Sequence, residues 1–281
     1  MKLTRFTVPL LAALMLVGPM ATPSTAQETA SRWQWSSPSA VTTDPWKFSA
    51  NVYGWIPWAP VDIEAGGASV HFPEDFSKIF DSLIFGAMAE VEVHKGPFGV
   101  FVSPLYYKGK TDEKITGPLG GSHKATLEES VWFINYGASY DLGTLRLGDA
   151  PGSPTVTLRP FAGGSYLHDN IKFDIKPGLL GPDLRVRTTI EFNTPIVGLN
   201  TLWDLSDRWS LRIGGYYGGW GVDDVDGTYQ IVGDVAYHFK AWDQPAKVFV
   251  GYRHVHLNYD DGPVVLKLNI TGPLVGIGVD F

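Results

Sequence analysis

The chain has no cysteine and no excess of positive charge, and beyond its first residues it has no apolar run long enough to cross a bilayer as a helix. Each absence excludes something. Without Cys there is no disulfide framework, no thiolate metal site and no thiol to carry a lipid. A net charge of −7, from 22 Lys and Arg against 29 Asp and Glu, argues against nucleic acid as a partner, because phosphate backbones are held mainly by cations. Charged residues make up only 18% of the 281, too few for an acidic disordered chain or a coiled coil. The sequence instead has 32 Gly, 10 Trp, 12 Tyr and 15 Phe. Its length allows one large domain or two small ones.

The amino terminus reads as a secretory signal peptide over residues 1–26. Lys2 and Arg5 precede an apolar run from Phe6 to Val17, and Ser24-Thr25-Ala26 supplies small residues for cleavage. The run is about a dozen residues, where a spanning helix needs about 20. Residues 27–45, with Ser36, Ser37, Pro38, Ser39, Thr42 and Thr43, read as a flexible periplasmic lead. An exported chain without a later helical span is a soluble protein of the periplasm or medium, or a membrane β-barrel.

From Trp46 the pattern has a period of two. Lys47-Phe48-Ser49-Ala50-Asn51-Val52-Tyr53 alternates polar and apolar, as a strand with two unlike faces must. Segments 84–95, 98–110, 129–142, 155–168, 186–205, 209–222, 228–240, 247–260 and 264–281 follow the same rule. With residues 46–53 they predict an all-β, antiparallel up-and-down barrel over 46–281 with about ten strands, eight or twelve being the neighbouring even counts. Short connections at Gly96-Pro97, Ser206-Asp207-Arg208 and 241–246 read as inner turns. Residues 57–83, 111–128 and 169–185 read as long outer loops, whereas the outer connections near Asp223 and Asp261 are short and 143–154 is long for an inner turn. In the first loop, residues 73–83, with Phe76, Ile79, Phe80 and Leu83 on one face, predict a short helix.

The polar faces separate a membrane barrel from a soluble one. Phe85, Ala87, Ala89, Val91 and Val93 share one face, against Gly86, Met88, Glu90, Glu92 and His94 on the other. Trp209, Leu211, Ile213, Gly215 and Tyr217 stand likewise against Ser210, Arg212, Gly214, Tyr216 and Gly218. Small residues mixed with charges suit a narrow lumen, and Trp46, Phe98, Trp203, Trp209, Phe239 and Phe281 near the inner strand ends suit an interfacial girdle. A soluble periplasmic binding barrel would need neither the girdle nor an aromatic final residue.

A two-residue turn at Gly96-Pro97 pairs Val93 with Val100 and Val91 with Val102 outside, and Glu90 with Ser103 inside. A six-residue turn at 241–246 pairs Asp234 directly with Arg253. The expected lumen network is Lys47, Glu90, Glu92, Asp141, Arg159, Glu191, Arg212, Asp234 and Arg253, with Asp280. Its mixed signs favour internal neutralisation over the single-sign ring of a selective pore.

His254 and His256 have the spacing of two ligands on one strand face. A turn at Asp261-Gly262 pairs Lys267 with His256 and Asn269 with His254, and a neighbouring cation disfavours a metal, so no metal or other cofactor is expected. Val248, Val250 and Tyr252 share one parity and Val255, Leu257 and Tyr259 the other. Bulges near Arg253-His254 and Gly272-Pro273, or a change of face in the outer half, would reconcile them. Asp223, Asp224, Asp226, Asp260 and Asp261 read as a solvated acidic rim. His168, Asp169, His123 and Ser122 lie in expected outer loops that could converge, but no Gly-x-Ser-x-Gly or comparable motif fixes them, so no catalytic residue is assigned.

The carboxy-terminal Gly276-Ile277-Gly278-Val279-Asp280-Phe281, apolar at alternate positions and ending in an aromatic, resembles the assembly signal of Gram-negative outer-membrane barrels. Tyr53-Gly54-Trp55-Ile56-Pro57, Phe76 to Leu83 and Gly99-Val100-Phe101 resemble a porin-like family of such barrels of unassigned activity. The second likeness covers about the first third of the chain after the signal and implies fold and location without catalytic residues. The resemblance implies outer-membrane lipid, lipopolysaccharide and the barrel assembly machinery as partners. The expected function is a non-enzymatic outer-membrane barrel, structural or a narrow porin. The alternative is a barrel enzyme acting on lipid, lipopolysaccharide or peptide at the outer rim.

Overall fold

The computed structural model describes residues 34–37, 45–57, 61–65, 68–72, 83–116, 122–176, 184–262 and 264–281. Ten long strands make the barrel wall: β2 (Trp46–Trp55), β5 (Leu83–Lys95), β6 (Phe98–Thr116), β7 (Ser122–Tyr140), β9 (Thr155–Lys176), β10 (Leu184–Asp204), β11 (Trp209–Val222), β12 (Val225–Ala241), β13 (Gln244–Asp260) and β14 (Val264–Asp280). Each pairs antiparallel with the next, and β14 pairs with β2 to close the ring. The last residue helps to close it. Phe281 and Phe48 exchange backbone hydrogen bonds of 2.8 and 3.0 Å. Closure satisfies the backbone groups that an open edge would expose, the condition for a sheet to sit in lipid.

Four shorter strands lie beside this ring. β3 (Val61–Ala65) and β4 (Ala68–Phe72) form a hairpin, and β3 continues the line of β2 along the outer part of β14. At the other end β8 (Gly143–Arg146) continues the line of β7 along β9. β1 (Gln34–Ser36) pairs with β8, so part of the stretch expected as a flexible lead is strand. The connection 143–154 is long because it contains β8. The expected signal peptide and most of the helix expected at 73–83 lie outside the described residues. Leu83 does not: it opens β5.

The outer face of the inner half is apolar. Phe48, Val52, Val91, Val100, Val197, Ile213, Val250 and Ile277 are exposed there. Trp46, Phe98, Trp209, Phe239 and Phe281 ring the inner edge, with Phe98 against Tyr140 and Trp209 against Tyr237 at 4.9 and 5.1 Å. On β6 the apolar outward stretch runs from Phe98 to Tyr106, about nine residues, the length a tilted strand needs to cross a bilayer. A second aromatic level closes it, where Tyr106 lies 5.9 Å from Phe85 and 4.6 Å from Trp132.

Beyond that level the pattern inverts. Leu167, Ile190, Phe192, Val225, Leu257, Tyr259 and Leu266 form a buried cluster inside, while Lys108, Lys172, Glu191 and Asn258 point outward. Above a membrane the outer face meets water, so the rule becomes that of a soluble barrel. This inversion corrects two expectations. The ladder from β13 to β14 runs without a shift through Arg253, His254, Gly272 and Pro273, so neither expected bulge exists and the change of face accounts for the parity. The outer loops expected at 111–128 and 169–185 are largely continuations of β6, β7, β9 and β10, where ladder pairing persists although no lipid enforces an apolar outer face.

Candidate functional site: the barrel interior

In the inner half, alternation turns the polar face of every strand inward, so charges from different strands meet. Arg212 on β11 donates from Nε to Asp234 on β12 at 2.8 Å and from Nη1 to Glu90 on β5 at 2.7 Å. β5 and β11 stand five places apart in the ring of ten, so this second bond crosses the barrel. Asn51 also donates to Glu90, at 3.2 Å. Arg159 on β9 holds Asp141 through two bonds of 2.6 and 3.2 Å and reaches Glu92 on β5 at 3.0 Å. His94 lies 2.8 Å from the same Glu92 oxygen. Near the inner mouth Lys247 lies 3.7 Å from Asp280. A polar cavity of about 330 Å³ lies among these groups.

Arg253 is buried one inward position farther out. It donates to the Tyr53 hydroxyl at 3.1 Å and stacks over the Tyr53 and Trp55 rings at 4.9 and 5.5 Å. Asp234 does not lie directly opposite it. The partners are Asp234 with Gly251 and Val232 with Arg253, so the two charges share a face on a diagonal. The cause is a tighter inner turn than the six residues expected: Ala241 pairs with Gln244 across Trp242 and Asp243, both at positive φ. Glu191 is a second correction. It stands outside, bonded to Tyr166 at 2.9 Å, because Phe192 takes the inward place in the inverted outer half. Lys47 shares inward parity with Ser49 and Asn51 but is exposed at the end of β2.

In the outer half the described interior holds the apolar cluster. Its members come from β9 and β10 on one side and β12, β13 and β14 on the other, and β9 and β14 are themselves five places apart. Phe192 stacks on Tyr259 at 6.1 Å. Beside this cluster, level with Ile190 and Ile171, lies a pair the sequence does not single out, Asp169 and Glu129 on the inward faces of β9 and β7. Both lie outside the spanning stretches, since the outward neighbours at this level are His168, Ser130 and Asn170. Burial first, and then the charge and hydrogen bond of Glu129, push the Asp169 carboxyl up to about 8, and burial raises Glu129 as well. The sequence groups Asp169 only with His168, His123 and Ser122 as loop residues that could converge. The signal that could have found the pair is an acidic residue in phase with inward Leu167 and Ile171.

The other outer-rim residues do not converge. His168 points outward, against Asn170 and Glu191, so it and Asp169 are on opposite faces. His123 and Ser122 lie about eight residues farther along β7 than Val131, the partner of Asp169, or roughly 26 Å of strand. His254 and His256 flank Tyr229 on the outer surface, and His256 faces Asn269, not Lys267, at 2.7 Å. Among the described residues no group of three or more His, Cys, Asp or Glu could hold a metal ion.

Together these features define a closed, ten-stranded antiparallel barrel with an apolar outward band, the fold of Gram-negative outer-membrane barrels. No family model and no curated protein matches the chain. Among solved structures it is similar to the outer membrane protease OmpT of Escherichia coli, at 10% identity and a TM-score of 0.47 over 86% of this chain and 99% of that one. It is also similar to the translocator domain of the autotransporter NalP of Neisseria meningitidis, at 11% identity and a TM-score of 0.37 over 84% and 88%. A third is Neisserial surface protein A, at 11% identity and a TM-score of 0.26 over 84% and 95%.

Proposed function

We propose that this chain is an integral outer-membrane barrel that spans the membrane without conducting, a structural element and not an open porin. The observation that carries the reading is the Arg212–Glu90 bond between opposite walls. A lumen bridged wall to wall by charge-assisted hydrogen bonds, with a buried apolar cluster beyond, supports a barrel that resists the passage of a hydrated ion. The charges are of both signs, which suits neutralisation and not selection. The outward apolar band and its two aromatic levels support an outer-membrane location. The final strand, with Val275, Ile277 and Phe281 exposed outward and Gly276 and Gly278 inward, supports recognition of the carboxy terminus by the barrel assembly machinery.

Planar-bilayer recording of the refolded chain tests this reading. Insertion confirmed by heat-modifiable migration, with no current steps across voltage and salt, is the expected result. Reproducible steps from the wild-type chain would overturn it.

A further inference from the structure

The cavity of about 330 Å³ in the inner half continues past the Arg212–Glu90 bridge. Its lining runs from Asp204, Ser210 and Asp280 at the inner strand ends to Asn135 and Arg253. Arg253 lies two inward positions short of Leu257 in the apolar cluster. Such a volume holds about ten water molecules, or one small ligand at the lower end of the roughly 300–1,000 Å³ range of ligand pockets.

Four side chains on this lining are only 6 to 8% exposed and carry a polar atom with no hydrogen-bond partner among the described residues. These atoms are Oδ1 of Asn51 on β2, Oδ1 of Asn135 and Oγ of Ser139 on β7, and Nε of Arg253 on β13. The Asn51 amide is oriented by its own chemistry. Its Nδ2 donates to the Glu90 carboxylate, which can only accept, so Oδ1 is the atom left over. Arg253 uses Nη2 on the Tyr53 hydroxyl and keeps Nε. Two carbonyl oxygens therefore call for donors, a guanidinium N–H calls for an acceptor, and a hydroxyl serves as either. Buried polar groups are rarely left unpaired, so a convergent set of them marks where another molecule completes the site.

The charges on the lining already have partners. Glu90 and Asp234 bond Arg212, Glu92 bonds Arg159, and Asp280 lies beside Lys247. Asp204 at the mouth accepts from Thr155, while His94 lies against Glu92 and His238 against Ser210. An anionic ligand would stand among these carboxylates, and a cationic one would meet Arg212 and Arg253, so neither sign gains by leaving water. An uncharged molecule with several hydroxyls meets the demand, because each hydroxyl both donates and accepts. Phe101 and Phe161, 5.4 Å apart on the same lining, offer an apolar wall to its C–H faces.

We propose that the inner half of the lumen is a binding pocket for a small uncharged cyclic polyol of hexose size, hydrogen-bonded by Asn51, Asn135 and Arg253 and packed on Phe101 and Phe161. The proposal goes beyond the structural role above. It takes from the outer-membrane reading only that the mouth at the inner strand ends faces the periplasm, and it does not depend on whether the lumen conducts.

The test is saturation-transfer NMR on the folded full-length chain in a detergent without a sugar headgroup. The probes are glucose, galactose and myo-inositol, with glucose 6-phosphate and glucosamine as charged counterparts. At least one uncharged probe should bind saturably at millimolar concentration or below, and the charged counterparts at least fivefold more weakly. N135L, which leaves every ion pair in place, and R253M should each weaken that binding at least fivefold while keeping heat-modifiable migration. H256Q, on the outer surface, should bind as the wild type does. S139A, a smaller change, replaces a variant that fails to fold, with an expected loss of at least twofold. No saturable binding of any uncharged probe by the folded wild type, equal binding of the charged counterparts, or undiminished binding by the folded variants would overturn the proposal. Probe binding by a wild-type chain that also conducts would overturn only the sealed-barrel reading.

Discussion

Arg212 and Glu90 join opposite walls of the barrel through a 2.7 Å hydrogen bond, and Arg212 holds Asp234 at the same time. All three side chains are largely removed from water. Removing one partner of such a set leaves a charge without compensation, at a cost of about 3–5 kcal/mol, whereas an apolar replacement of similar volume costs less. R212A should therefore lower the urea midpoint of the refolded barrel substantially, and R212M should recover part of the loss. Denaturant titration of the three proteins in vesicles checks both. A midpoint for R212A equal to the wild type would show that the bridge carries no structural weight.

The pair in the outer half predicts a dependence of stability on pH. The Asp169 carboxyl is raised to about 8 in the folded chain, so between about pH 4 and 8 the folded state holds a proton that the unfolded state has released. Stability is then greatest at the acid end of this window, falls as pH rises, and levels off above about 8. The slope is at most about 1.4 kcal/mol per pH unit for one proton. Unfolding midpoints between pH 5 and 8.5 should decline for the wild type and stay flatter in D169N/E129Q. A wild-type midpoint that rises over this range would contradict the assignment.

The lipid faces of β5 and β11 are legible because their outward and inward environments differ sharply, and Gly96-Pro97 fixes one register because a two-residue turn permits only one: Val93 pairs with Val100 and Val91 with Val102. Two kinds of feature are not legible. In the outer half the faces exchange polarity while the strands continue, so Glu191 reads as inward and Asp112 and Asp174 read as loop. Between β12 and β13 the turn residues are Trp242 and Asp243, neither Gly nor Asn, and nothing marks them as a tight turn. The register then shifts by two, which preserves faces and loses direct partners.

That turn carries its own prediction. Trp242 and Asp243 adopt φ of 48° and 64°, a conformation that costs a residue with a side chain about 1–2 kcal/mol and that Asn-Gly adopts readily. Trp242 is 97% exposed, so little packing is lost by replacing it. W242N/D243G should raise the unfolding midpoint by an amount on the order of 1 kcal/mol, seen in the same urea titration. A lower midpoint would show that the Trp242 side chain contributes something its exposure does not reveal.

A close approach of backbones gives another test. Gly137 and Gly163 are cross-strand partners on β7 and β9, and a Cβ built on either meets the backbone of the other strand. The neighbours that block it are main-chain atoms, which cannot rotate away. G163A should cost at least the 1–3 kcal/mol typical of overpacking and reduce the folded, heat-modifiable band on refolding. G152A, where a Cβ meets nothing but φ is +81°, separates backbone strain from crowding and should be the milder change.

On the proposed sealed-barrel reading the charged layer and the apolar cluster stand in series, and conductance can tell them apart. Phe192 is 2% exposed and stacks on Tyr259, so F192A should cost about 3–5 kcal/mol and loosen the outer cluster. It leaves the Arg212–Glu90 bridge in place, and R212A leaves the cluster. If each layer alone blocks ions, neither single variant conducts and F192A/R212A does, provided the double variant still inserts with heat-modifiable migration. Steps from R212A alone would assign the whole barrier to the charged layer, and steps from F192A alone would assign it to the apolar one.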